Sequence, residues 1–137
     1  MATVVLAGGG TAGHVEPALA VADAWRKEFP QSEFEFVGTT TGLENILIAG
    51  AGYKLSTIPK VTLPRSLKPA GLLAPLKFGQ ALAKSLQIVN GAECVIGFGG
   101  YISAPIYLAA AMRRIPFVIH EANAIPGWAN KFGAFLG

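Results

Sequence analysis

Short apolar runs alternate with helically spaced stretches along all 137 residues of this chain. The first run, residues 2–7, is continuous and β-branched, and it stops at Gly8, Gly9 and Gly10. Pro17 then suits a first helical turn, and Ala18, Val21, Ala22, Trp25 and Phe29 recur at helical spacing. Residues 34–37 read as a second strand ended by Gly38 and three threonines, 43–49 as a short helix, and 53–58 as a third strand. Three prolines in 59–69 predict a loop, and 71–89 a long helix. Residues 94–98 are the fourth strand. Ser103 can cap a helix that ends at Arg113 and Arg114, where cations suit the dipole. Residues 116–119 and 127–136 give a last strand and helix. Strands apolar on both faces and separated by helices make a parallel sheet covered on both sides. The expectation is one Rossmann-like α/β domain over residues 1–137, with about five strands.

Composition narrows the alternatives. The chain is 52% hydrophobic and 14% charged, the reverse of a disordered segment. Its 17 glycines follow no period, which excludes a collagen-like chain. The single Cys94 excludes an internal disulfide framework and a multi-cysteine zinc site, and suits a core position in a reducing compartment. The N-terminal apolar run is too short, and lacks the basic start, for a signal peptide. Residues 94–112 carry no charge, but Gly97, Gly99, Gly100 and Pro105 interrupt them, so a strand, turn and helix explain them better than a membrane span.

Charge is unevenly placed. No Asp or Glu lies between Glu44 and Glu93, whereas Lys54, Lys60, Arg65, Lys68, Lys77 and Lys84 all do. The rest of the chain has five basic residues against eight acidic ones. Such a basic segment points either to an anionic partner or to a solvated face. Its single Tyr and single Phe are too few for a nucleic-acid stacking platform.

In a parallel sheet, ligands bind beyond the carboxyl ends of the strands. That edge collects Gly8–His14, Thr39–Thr41, Gly99–Tyr101 and His120–Asn123, and with them both histidines of the chain. Gly8, Gly10 and Gly13 spell the dinucleotide fingerprint. Two details count against a nicotinamide cofactor. A helix starting near Pro17 makes too long a loop, and strand two ends in Gly38 and Thr39, where a ribose-binding acid belongs. What survives is a glycine turn whose N–H groups can meet phosphate oxygens, with a second such turn at 97–100. His14, directly after the first turn, is the candidate general base. Glu121 can orient or charge-stabilise it, or can tie down loop backbone.

These residues resemble a known family. Residues 9–20, GGTAGHVEPALA, are similar to the first glycine loop of the MurG-type N-acetylglucosaminyltransferases. Residues 97–105, GFGGYISAP, resemble their second glycine loop; 120–127, HEANAIPG, and 38–44, GTTTGLE, resemble two further stretches. Ala12 stands where that family usually has Gly, and the 59–69 stretch, with Leu63, Pro64 and Arg65, looks like an actinobacterial variant. The resemblance implies the N-terminal, acceptor-binding half of a two-domain GT-B enzyme, with the C-terminal donor domain absent from this chain. It implies inverting transfer of GlcNAc from UDP-GlcNAc to the muramyl 4-hydroxyl of lipid I in peptidoglycan synthesis. The acceptor diphosphate would lie near Gly10, Gly99, Gly100 and Tyr101, with His14 as base. Thr11, Ala12, Gly13 and Asn123 match positions that contact a donor held mostly by the missing half. No cofactor and no metal is implied: a D-x-D motif is lacking, and helix dipole and N–H groups can stabilise the leaving diphosphate.

The resemblance also gives the basic segment a role, because a polyprenyl diphosphate acceptor requires a seat on the anionic, cytoplasmic face of the bacterial membrane. Lys60, Arg65, Lys68 and Lys77, interleaved with Leu63, Leu67, Leu72, Leu73, Leu76 and Phe78, would form an apolar patch with a cationic rim. Two competing readings stay open here. One is a non-catalytic, membrane-recruiting subunit of a split glycosyltransferase, and the other a nicotinamide dinucleotide domain.

Overall fold

The computed structural model describes residues 2–60 and 74–137. The strands are β1 (Thr3–Gly8), β2 (Glu33–Gly38), β3 (Lys54–Thr57), β4 (Cys94–Gly99) and β5 (Phe117–Ile119). The helices are α1 (Ala12–Glu28), α2 (Glu44–Gly50), α3 (Ala74–Ile88), α4 (Ser103–Arg113) and α5 (Trp128–Leu136). The strands form one parallel sheet in the order β3-β2-β1-β4-β5.

Strand periodicity divides the core in two. Val5, Ala7, Val37 and Val95 point to one face, where they meet Ala81 and Val89 near α3 and Ile106, Ala109 and Ala110 of α4. Val4, Leu6, Phe34, Phe36, Ile96 and Phe98 point to the other, against Val15, Ala18 and Ala22 of α1 and Ile48 of α2. These β-branched and aromatic side chains thus fill helix-covered faces, which explains runs that are apolar without alternation. Half-buried Phe78 packs against the first of these clusters, so it belongs to the core and not to an exposed apolar patch.

The direction in which strands are added to the sheet reverses at β1. Moving out from β1, the sheet grows through β2 and β3 on one side and through β4 and β5 on the other. The gap between the β1 and β4 ends is the switch point where open α/β sheets hold ligands. The register slips there, between Ala7 and Gly8, so Gly8 pairs with Gly99.

Two local expectations are corrected. Helix α1 begins at Ala12, not near Pro17, because the chain needs only Gly10 (φ +86°) to turn before extended Thr11 leads into the first turn. The Thr11 carbonyl already accepts the N–H of His14 at 3.2 Å and of Val15 at 3.3 Å. Pro17 lies inside the helix and costs it one i→i−4 bond. The long-loop objection to a dinucleotide fingerprint therefore falls. The missing acid still stands: Glu35 turns to β3, bonded to Ser56 and 3.3 Å from the Lys54 ammonium. Ser103 does not cap α4. It is fully buried, and its hydroxyl lies 2.9 Å from the Gly99 carbonyl and 3.1 Å from that of Ala7, tying β1 to the second glycine turn. Among the described residues no helix is long and apolar enough to cross a membrane.

Candidate functional site

At the switch point the two glycine turns touch. Gly99 and Gly100 have φ of +98° and +83°, a region where only glycine is comfortable. A Cβ on Gly100 would stand 2.8 Å from the Gly9 carbonyl, so the second turn has no room for a side chain against the first. The His14 ring is wedged into this junction: a Cβ on Gly99 would lie 3.2 Å from its Nε2, and one on Gly100 3.3 Å from its Nδ1.

This wedge sets the tautomer. His14 Nδ1 lies 3.2 Å from the Gly9 carbonyl and 3.2 Å from the Thr11 hydroxyl. A carbonyl can only accept, so in the neutral ring a hydrogen bond to Gly9 puts the proton on Nδ1 and leaves the lone pair on Nε2. The ring lines a cleft of about 180 Å³ together with Gly99, Gly100, Tyr101, Glu121, Asn123, Gly127, Trp128, Ala129 and Asn130.

The far wall of the cleft is the loop between β5 and α5, and Glu121 holds it. One carboxylate oxygen accepts the N–H of Asn123 at 3.0 Å and its side-chain amide at 3.2 Å. The other accepts the N–H of Gly127 at 3.1 Å and Asn130 Nδ2 at 2.9 Å. These bonds, that of the Asn123 amide foremost, pull the carboxyl down to about 2. Of the roles open to Glu121, tying down loop backbone is the one its contacts describe; none of its hydrogen bonds reaches His14. Asn130 extends the network inward. Its Nδ2 also reaches the His120 carbonyl at 3.1 Å, and its Oδ1 accepts from the fully buried Tyr107 hydroxyl at 2.7 Å.

A second cleft of about 200 Å³ lies across Tyr101, lined by Gly9, Gly10, Thr39, Thr41, Gly42, Leu43, Lys60, Tyr101 and Ile102. Six residues expected at the site, His14, Gly99, Gly100, Tyr101, Glu121 and Asn123, thus share one cleft. Gly10 lines its neighbour, and exposed Thr11, Ala12 and Gly13 form the exposed first turn of α1. Lys60 reaches the same edge. Leu76 (61% exposed) and Lys77 lie open on the first turn of α3, while Leu63, Arg65, Leu67, Lys68, Leu72 and Leu73 lie outside the described residues. Sequence reasoning missed Trp128 and Asn130, and it gave Glu44 no role. A polar Asn130 one turn from Gly133, on the buried side of an apolar helix, was the available signal.

The model of the glycosyltransferase family 28 N-terminal domain matches residues 4–136. Over 136 residues the chain is 54% identical to the UDP-N-acetylglucosamine--N-acetylmuramyl-(pentapeptide) pyrophosphoryl-undecaprenol N-acetylglucosamine transferase of Thermobifida fusca, covering 97% of this chain and 36% of the relative. The protein of the same name from Frankia casuarinae is 53% identical over 137 residues, 98% of this chain and again 36% of the relative. The chain therefore spans little more than a third of the length of these curated relatives. Among solved structures, MurG of Acinetobacter baumannii superposes with a TM-score of 0.84 at 30% identity, covering 100% of this chain and 40% of that one. UDP-GlcNAc 2-epimerase from Neisseria meningitidis shares the fold alone, with a TM-score of 0.64 at 13% identity over 100% of this chain and 39% of that one.

Proposed function

The chain belongs to glycosyltransferase family 28 as its N-terminal domain, and from that premise we propose that it is the acceptor half of a two-domain GT-B enzyme that transfers GlcNAc from UDP-GlcNAc to lipid I. The observation that carries this reading is the His14 ring, held between two glycine turns with Nδ1 3.2 Å from the Gly9 carbonyl and the residue lining the cleft.

In the proposed reaction the muramyl 4-hydroxyl enters the cleft and attacks the anomeric carbon of the donor. Its proton passes to His14 Nε2 as the new C–O bond forms. The bond from the anomeric carbon to UDP breaks, and its electron pair leaves on the diphosphate oxygen. Attack opposite the leaving group inverts the centre and gives a β-1,4 link. Thr11 and the Gly9 carbonyl keep the ring from turning, so the basic atom stays aimed while the proton moves. Exposed Thr11, Ala12, Gly13 and Asn123 would contact the donor, most of which a C-terminal domain would hold. The acceptor's lipid tail calls for a seat on the cytoplasmic face of the membrane, for which exposed Leu76 and Lys77 and the basic segment around them are suited.

The test is a chimera in which residues 1–137 replace the matching stretch of the Thermobifida fusca relative. It should transfer GlcNAc from UDP-GlcNAc to a soluble lipid I analogue. His14→Ala in that chimera should lower turnover about 100-fold or more, the scale of a lost general base, with far less effect on donor affinity. Normal turnover by the variant would remove His14 as the base.

A further inference from the structure

Glu44 is fully buried at the carboxyl edge of the sheet, and nothing in the proposed transfer uses it. Its oxygens face donors from two different loops. Oε1 accepts the Thr39 N–H at 2.7 Å and the Thr39 hydroxyl at 3.0 Å, and Oε2 accepts the Gly10 N–H at 3.3 Å. Burial alone would raise its pKa. The N–H groups of Thr39, of Glu44 itself and of Gly10, with the Thr39 hydroxyl, outweigh that and hold the carboxyl below its ordinary range. It is an anion at neutral pH. The space around it is shaped to fit, since a Cβ on Gly38 or Gly42 would run into its side chain.

Gly10 is where a phosphate-binding turn offers its N–H to a ligand. Here that N–H already has an anion, and the anion belongs to the chain. We propose that Glu44 is a positioning residue that holds the first glycine turn from inside, standing where an external phosphate would otherwise bind and keeping multiply charged anions off Gly10. The inference rests on the reading above in one respect only: an acceptor diphosphate would then use the first turn of α1 and the second glycine turn, and not Gly10.

The experiment needs no turnover, so its outcome is independent of whether the transfer reaction is correctly assigned. Amide exchange at Gly10 and Thr39 and calorimetric binding of inorganic pyrophosphate are measured on the chain, on Glu44→Gln and on Gly42→Ala. Glu44→Gln keeps an acceptor for Thr39, removes the charge and turns an NH₂ group toward Gly10. Gly10 should exchange several-fold faster while Thr39 stays protected, and pyrophosphate should bind about tenfold more tightly, since a unit charge a few ångströms away is worth at least that at a protein surface. Gly42→Ala displaces the carboxylate but keeps its charge, so Gly10 should exchange faster without tighter pyrophosphate binding. A merely structural Glu44 predicts the opposite sign, weaker anion binding together with lost stability. Pyrophosphate binding that fails to tighten in a folded Glu44→Gln overturns the proposal. If that variant does not fold, unchanged Gly10 exchange in Gly42→Ala overturns it and faster exchange supports it.

Discussion

Glu121 has four hydrogen bonds on two oxygens, and its carboxyl lies near 2 against an ordinary 4.5. A carboxyl depressed in the folded state contributes stability that is fully present above its ordinary value and is lost as pH falls through its folded value. The β5–α5 loop should therefore keep its order down to about pH 4.5 and loosen between there and about 2. Protection of the Asn123 and Gly127 amides, followed against pH, measures this, and Glu121→Gln should abolish the pH dependence in that window. The carboxylate is partly exposed, so salt should blunt the effect. A carboxyl this acidic is also a poor proton acceptor at neutral pH, which argues against Glu121 as a general base. His14 was legible from sequence because it follows a glycine turn on the ligand edge. Its tautomer was not, because that depends on where the Gly9 carbonyl falls once the second glycine turn has closed on it. For Glu121 the sequence offered two roles, and only coordinates could count its donors.

At the scale of elements, α4 and α5 are joined to the cleft by one chain of hydrogen bonds, from the buried Tyr107 to Asn130 to the His120 carbonyl and Glu121. Tyr107→Phe keeps the ring and leaves Asn130 Oδ1 without its buried donor, so it should destabilise the chain by about 1–3 kcal/mol in denaturant unfolding. The β5–α5 loop should exchange faster in that variant, while amides of β2 and β3, on the far side of the sheet, should not change. Helix α3 carries the other prediction. Lys77 and Leu76 are exposed on its first turn, and replacing Lys60, Arg65, Lys68 and Lys77 by Gln should weaken binding to anionic vesicles by about 1 kcal/mol per charge near the surface. Added salt should mimic the substitutions; binding indifferent to salt would assign the attraction to the leucines, and no binding would remove the patch. Strand and helix order was readable because two-faced apolar runs allow few other arrangements. Helix starts were less so: Pro17 reads as a first-turn residue, yet the turn at Gly10 is tight enough to start α1 five residues earlier.

The described residues form one five-stranded sheet with a cleft at its carboxyl edge. Helices cover both faces of the sheet's centre over two buried clusters, and the strands pair in one order from β3 to β5. Residues 1–137 alone should therefore melt cooperatively, in a size range where single domains stand by themselves. They should not transfer GlcNAc. The His14 cleft is bounded by the two glycine turns and the β5–α5 loop, while Thr11, Ala12 and Gly13 are exposed and line neither cleft. Inverting transfer requires donor carbon and acceptor oxygen held together in near-attack geometry, an advantage of about 7–11 kcal/mol when complete. A site that held only one of the two substrates would forgo most of it, and the curated relatives, of which this chain covers 36%, have the length to supply a second wall. The measurement pairs a thermal melt with an assay of the chain on UDP-GlcNAc and a soluble lipid I analogue. A single sharp transition without transfer, and recovery of transfer in the chimera, is the expected pattern. Robust transfer by the chain alone would mean that the cleft around His14 holds donor and acceptor unaided, and the two-walled geometry would have to be abandoned.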